Sequence, residues 1–348
     1  ADTVASLRDM AAHDASLAQQ PNGAALYTAM MQLNTDTELT ADAIHQIGLD
    51  NVVRIHTEMD AIMRDQGMTE GSVPDRLRAM SNDPDLVYPD TEEYKERTLV
   101  EVTAMIEEIN AIAPQYFGVL PVADVEVRRV PAFREATSAA GYYNSPAGDS
   151  PGIYYLNLRS TQLIPTWGLP TITYHEAVPG HHFQVALGLE REELPLIQRV
   201  NTNTNAFAEG WGLYAERLAW EMGYLEDPYD NIGRLQAELF RAVRLVVDTG
   251  IHSMRWTREQ AIDYMLANVG MAESEAVVEI ERYFVLPGQA TAYKVGMIKL
   301  MELRELAQRE LGEQFDIREF HDVILTNGSM PLNILEELVV QYISDAKT

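Results

Sequence analysis

Residues Tyr174 to His182 read YHEAVPGHH. They open like His-Glu-x-x-His, in which histidines at i and i+4 share one helical face around a zinc ion and the intervening glutamate activates water. His175 and Glu176 fit that opening, but Pro179 stands at i+4 and offers no ligand. On an unbroken helix, His181 at i+6 lies about 120° round the axis from His175. His182 at i+7 returns to within about 20°, yet sits about 10 Å further along. Imidazoles that share an ion need their nitrogens within about 4 Å of one another. The stretch therefore predicts a helix interrupted by a bulge or break.

Proline and glycine supply the interruption. Pro179 removes the amide that would bond to the His175 carbonyl, and Gly180 permits dihedrals that other residues avoid. A π-type bulge that loops out two residues would carry His181 to the i+4 place, and one that loops out three would carry His182. The Gly-His pairing favours His181, with His182 as the alternative.

The chain has no cysteine, so histidine and carboxylates are the available metal ligands. The segment NAFAEGWGLYAERLAW, residues 205–220, sets Glu209 among alanines and aromatics, where a partly buried acid needs a cation or hydrogen-bond partner. Glu209 is the candidate third ligand. Glu216, two turns on, is a candidate to orient a ligand from behind, against a structural pairing with Arg217. The competing interpretation of all these residues is a structural polar cluster.

Composition narrows the function classes. The 348 residues are 46% hydrophobic and 23% charged, enough for a sizeable soluble core. Fifty-three acidic against 26 basic residues leave a formal charge of −27, without a Lys/Arg block. That balance excludes a nucleic-acid binder, which needs basic residues to displace counterions, and disfavours anionic membranes. No run approaches the roughly 20 apolar residues of a membrane span. The start, ADTVASLRDM, has no initiator Met and no apolar signal core, as a processed or cleaved terminus would read.

The pattern predicts a mainly α fold, one helical domain over residues 1–348, with a small antiparallel β-sheet near residues 121–160. Ile44, Ile47, Val52, Ile55, Met59 and Ile62 recur at helical spacing, with Thr40 as N-cap and Gly67 as stop. A second helix carries Leu99, Val102, Ile106 and Ile109 on one face, opened by a capping-box spacing from Asp90 to Glu93 and closed by Pro114. His45 and His56 on these helices read as ordinary helix residues. VADVEVRRVP and GIYYLNLRS are short, β-branched or aromatic strands. The remainder is helical, with a Thr257/Gln260 capping box and one long helix through PGQATAYKVGMIKLMELRELAQREL.

Further candidates follow from position. Arg244, Asp248 and His252 recur at i, i+4 and i+8, so Asp248 could orient His252 while Arg244 holds a substrate carboxylate. Tyr154, Tyr155 and Asn157 could form an edge strand that receives peptide backbone.

Four blocks in order, HEAVPGHHFQ, AFAEGWGLYAE, RAVRLVVDTGIHSMRWT and PGQATAYKVG, together resemble the bacterial family catalogued as domain of unknown function 885. That family is similar to the helical zinc metallopeptidases of the angiotensin-converting enzyme and thimet oligopeptidase type. The resemblance implies a cleft-containing zinc peptidase of short peptides, holding one Zn2+ through His175, a histidine of the 181–182 pair and Glu209. Glu176 becomes the general base. Tyr293 becomes the oxyanion donor and Lys294 its neighbour at the substrate, by likeness to the Tyr-bearing helices of such peptidases. Family members are longer at the N-terminus, which implies a C-terminal portion whose missing segment could complete the cleft. Their export signals favour a periplasmic or secreted location over the cytoplasm. The alternatives are a metal-free or inactive helical peptide-binding protein, and a zinc hydrolase of non-peptide amides or esters.

Overall fold

A computed structural model describes residues 16–148, 150–161, 165–200 and 204–348. The opening stretch ADTVASLRDM lies outside them. The chain first lays down four helices, α1 Gly23–Thr35, α2 Ala41–Asp65, α3 Val73–Ser81 and α4 Glu92–Ile112. Three strands follow, β1 Val125–Arg129, β2 Gly141–Asn144 and β3 Gly152–Leu156. Helices fill the rest: α5 Leu169–Glu176, α6 His181–Glu190, α7 Leu196–Val200, α8 Asn205–Glu221, α9 Pro228–His252, α10 Arg258–Val269, α11 Glu273–Val285, α12 Ala292–Leu311, α13 Ile317–Leu325 and α14 Leu332–Ala346. None of the described helices is long and apolar enough to cross a membrane.

Local chemistry accounts for several boundaries. The Thr40 hydroxyl accepts from the Ala43 amide and starts α2, and Gly67 leaves its end in the left-handed region at φ 81°. Thr257 and Gln260 form the reciprocal box at the head of α10. At α4 the cap is Thr91, which accepts from Tyr94, so the helix starts one residue later than the Asp90/Glu93 spacing implies. The long helix expected from Pro287 begins at Ala292, because Gly288 is left-handed at φ 80° and a 3₁₀ turn, Gln289–Thr291, intervenes.

The sheet is mixed. Its order is β1-β3-β2, with β2 antiparallel to β3 and β1 parallel to it. The expected antiparallel sheet is therefore correct for one pairing only, because β2 occupies the antiparallel side of β3 and leaves β1 the other.

Two large cores hold most of the described helices, and a smaller cluster of Tyr27, Met31, Ile44, Leu245 and Val295 ties α1 to α2, α9 and α12. One joins Ile106 and Ile109 of α4, Tyr154 and Leu156 of β3, Phe183 of α6, Trp211 of α8 and Leu300 of α12. The other joins Ile55 and Met59 of α2 to Leu239 and Val243 of α9 and Met265 of α10. Among their contacts, α8 lies against α5 and α12, and α9 against α2. The end of α5 is thereby fixed beside the first turns of α8.

Candidate metal centre

Helix α5 stops at Glu176. The Ala177 amide still bonds back to Thr173 at 2.9 Å, but Ala177 then leaves helical dihedrals at φ −105° and ψ −108°. The residue before a proline is pushed out of the α region, and Pro179 has no amide to continue the ladder. The chain turns through 178–180 and a new helix, α6, starts at His181. The interruption is thus a complete break into two helices rather than a bulge in one.

Gly180 makes the turn feasible. A Cβ there would fall 1.9 Å from the His175 carbonyl oxygen and 2.4 Å from that of Tyr174. Trp211 of α8 fastens the turn from outside, its indole N–H donating to the carbonyls of Pro179 (3.0 Å) and Gly180 (3.2 Å).

This turn folds the His181 ring back to the His175 ring, with centroids 4.7 Å apart and planes nearly perpendicular. Glu209 comes between them from α8. Its Oε2 lies 3.5 Å from His181 Nε2 and 3.7 Å from His175 Nε2, and one ligand atom from each residue lies within 4.8 Å of the others. Two ligands on a tetrahedral zinc, at about 2.0–2.2 Å from it, stand roughly 3.3 Å apart. The three residues fit a single cation with small rotamer adjustments. Among the described residues, no other group of three His, Asp or Glu side chains meets that spacing.

The support behind the ligands is also built in. His175 Nδ1 lies 2.8 Å from Glu216 Oε1, a carboxylate oxygen that can only accept, so Nδ1 carries a proton and Nε2 is the atom turned toward Glu209. Gly212 permits it: a Cβ there would stand 2.6 Å from His175 Cε1 and 2.7 Å from Nε2. Burial alone would lower the His175 pKa, but its hydrogen bonds with Glu209 and Glu216 outweigh this and push it up to about 9. Glu209 is held well below the usual carboxylate range, because its bonds with His175 and His181 overcome the opposing effect of burial. The second oxygen of Glu216 is buried without a hydrogen-bond partner.

Glu176 is buried beside His175 and forms no ion pair among the described residues, which leaves its carboxylate uncommitted. Tyr293 lies in the first turn of α12. Burial first, and then the charge of Glu209, raises its phenol pKa. The guanidinium groups of Arg244 and Arg241 lie 4.8 and 5.7 Å from its ring centroid.

Other sequence candidates are committed elsewhere. His182 turns away from the cluster to place Nδ1 3.0 Å from the Tyr143 hydroxyl on β2. Arg244 donates to Tyr283 (3.0 Å) and Glu279 (2.9 Å), so its fork is occupied. Asp248 does not reach His252; it accepts from the Tyr27 hydroxyl at 2.6 Å and the Gly288 amide at 3.0 Å. His252 has one ring nitrogen against the Leu17 amide and the other against the Tyr283 carbonyl. Lys294 is buried in an ion pair with Glu238 at 2.6 Å. Tyr154 and Tyr155 lie on the central strand β3, paired on both sides, so that strand has no free edge for a peptide. Tyr154 is wholly buried and Tyr155 stacks on Tyr142 at 5.1 Å. Asn157 donates to the carbonyls of Glu135, Ser138 and Ala139 and braces a loop. His45 bonds Thr249 and His56 bonds the Asn268 carbonyl, as ordinary helix residues do.

Trp211, Gly212 and Arg241 escaped the sequence reading. The first two had a signal in the Glu-Gly-Trp-Gly run, where glycines flank a large aromatic beside the candidate acid. Arg241 had none.

The fold matches a crystal structure of the putative lipoprotein from Colwellia psychrerythraea, 45% identical with a TM-score of 0.96, over 99% of this chain and 59% of that one. A putative lipoprotein of unknown function from Shewanella oneidensis shares the fold at 22% identity and a TM-score of 0.78, over 97% of this chain and 62% of that one. The chain thus spans less than two thirds of either protein's length. Among curated proteins no match was found. Residues 1–339 match the family described as bacterial protein of unknown function (DUF885), and the chain belongs to that family.

Proposed function

We propose that this family member is a zinc-dependent hydrolase, a peptidase of short peptides, working outside the cytoplasm. The observation that carries the reading is the convergence of His175, His181 and Glu209 on one point, with Glu216 fixing the tautomer of His175. Such a donor set, one carboxylate and two imidazoles with a carboxylate behind, suits zinc and leaves a coordination position open. The location rests on the putative lipoproteins that share its fold.

When bound, zinc supplies a Lewis acid for the scissile carbonyl and lowers the pKa of the attacking water. The chain's own residues do the rest. Glu176 takes a proton from that water as its oxygen bonds to the carbonyl carbon, and returns it to the departing amine as the C–N bond breaks. Tyr293 donates its phenolic proton in a hydrogen bond to the oxyanion that develops between these steps. Glu216 keeps the His175 ring in place throughout.

The test combines metal content with turnover. The purified chain is expected to hold one zinc and to cleave peptides in a fluorogenic library. Glu176→Gln should retain the zinc and lose hydrolysis, whereas Glu209→Ala should lose zinc. Turnover surviving in Glu176→Gln would remove the base, and unchanged zinc stoichiometry in Glu209→Ala would remove the metal centre. A zinc-loaded chain that cleaves esters or non-peptide amides but no peptide would keep the hydrolase and discard the peptidase.

A further inference from the structure

The cations around α8, α9 and α12 are almost all matched. Arg217 holds Glu221 at 3.1 Å, Arg244 holds Glu279 at 2.9 Å, Lys294 holds Glu238 at 2.6 Å, and Arg234 reaches Glu238 at 3.4 Å. Arg241 differs. Its one hydrogen bond among the described residues is a 3.3 Å contact from Nη1 to the Ala237 carbonyl of its own helix, and its Nε–H is buried with no partner among them. Its nearest carboxylate oxygen is Glu216 Oε1 at 3.8 Å, beyond hydrogen-bond reach. That oxygen already accepts from His175 Nδ1 at 2.8 Å.

A guanidinium carries five donors in a planar fork matched to a carboxylate. Here the fork stands between the support of the metal centre and the Tyr293 ring, with 19% of the side chain exposed. It is a permanent charge in a partly buried position, and the one carboxylate beside it is engaged by a metal ligand. In a protein of net charge −27, a cation at the candidate site whose carboxylate contact is a single long ion pair is an arrangement that a bound anion would complete.

We propose that Arg241 is a specificity residue that binds the free C-terminal carboxylate of a peptide substrate, which makes the chain a carboxy-terminal exopeptidase. The inference rests on the hydrolase reading above for the word substrate, but the anion site stands on its own contacts. The 3.8 Å contact to Glu216 and the 2.8 Å step from Glu216 to His175 Nδ1, with the width of the imidazole ring, put the fork no more than about 9 Å from His175 Nε2. Extended peptide covers about 3.3–3.6 Å per residue, so a carboxylate held there leaves room for one or two residues beyond the scissile bond. Arg244, the carboxylate binder suggested by sequence, is one turn further on and already neutralised by Glu279.

Binding tests the site apart from turnover. N-acetyl-Phe-Ala and its C-terminal amide are titrated calorimetrically into zinc-loaded Glu176→Gln protein, with and without Arg241→Gln. The acid should bind at least about tenfold more tightly than the amide, and Arg241→Gln should abolish the difference while zinc content is unchanged. Arg241→Lys, which keeps the charge, should retain part of it, and this guards against a folding defect in the glutamine variant. Equal affinity for acid and amide overturns the proposal. So does a preference that survives Arg241→Gln but disappears on chelation, which would assign the carboxylate to the metal. With zinc-loaded chain carrying Glu176, N-acetylated octapeptides should lose one or two C-terminal residues as free acids and resist as amides. Equal internal cleavage of both also overturns it. No cleavage of any peptide, with the acid preference intact, would overturn the hydrolase and keep the anion site.

Discussion

Gly212→Ala isolates the role of packing in the proposed metal centre, because the added group is one methyl and its target is one ring. The new Cβ would lie 2.6 Å from Cε1, 2.7 Å from Nε2 and 3.0 Å from Nδ1 of His175. Carbon contacts are comfortable from about 3.5 Å, so the ring must retreat by close to 1 Å, roughly. Metal–ligand distances tolerate about 0.2 Å, which makes that displacement large for the ion. It also pulls Nδ1 from its 2.8 Å bond with Glu216. Loss of such an outer partner alone lowers metal affinity about 10–100-fold, so the variant should weaken zinc by at least that much. Stability should change little, since alanine gains about 1 kcal/mol of helix propensity over glycine while overpacking costs about 1–3 kcal/mol. Chelator competition gives the affinity, and thermal unfolding of the zinc-free protein gives the stability. An affinity within about twofold of the parent would refute the claim that His175 needs the bare helix surface at 212.

Three further outcomes are expected. Glu216→Ala leaves His175 Nδ1–H without its acceptor and should weaken zinc about 10–100-fold by the same competition assay, with Glu216→Gln recovering part of the loss. Trp211→Phe leaves the carbonyls of Pro179 and Gly180 without their shared donor and should cost about 1–3 kcal/mol in urea unfolding; no change would mean that the turn holds itself. Burial raises Asp248 to about 7, against the hydrogen bonds from Tyr27 and Gly288, which lower it. A carboxyl with its folded pKa above its unfolded value contributes stability at low pH that fades as pH rises. Relative to Asp248→Asn, the parent should therefore lose about 1.4 kcal/mol per pH unit between pH 4 and 7 and level off above. Parallel stability curves for the two proteins would contradict this.

Features encoded by neighbouring residues were legible in the sequence. The Thr40 cap and the Thr257/Gln260 box depend on a few adjacent groups, and the periodic face of α2 buries Ile44, Val52, Ile55 and Met59. Pro179 and Gly180 announced an interruption, although not whether the backbone would bulge or stop, since that choice depends on Trp211 reaching across from α8. Pairing between distant segments was hidden. Nothing local to residues 121–160 reveals that β1 joins the far side of β3 in parallel. The 244–248–252 face is shared as helical geometry requires, but its partners, among them Leu17, Tyr27 and Tyr283, sit far off along the chain, where no local pattern points to them. Arg241 was invisible for the converse reason: what marks it is one long ion pair and a buried Nε–H without a partner among the described residues, a property that exists only once its neighbours are in place.

The turn between the two short helices uncouples ligand spacing from helical pitch. A continuous helix dictates how many residues must separate two histidines, whereas here a corner of the chain dictates it and indole contacts hold the corner. Searches keyed to the usual four-residue interval pass over any protein assembled this way. A template that instead asks for a helix end, a proline-glycine corner and a histidine at the next helix start would gather such proteins from sequence alone.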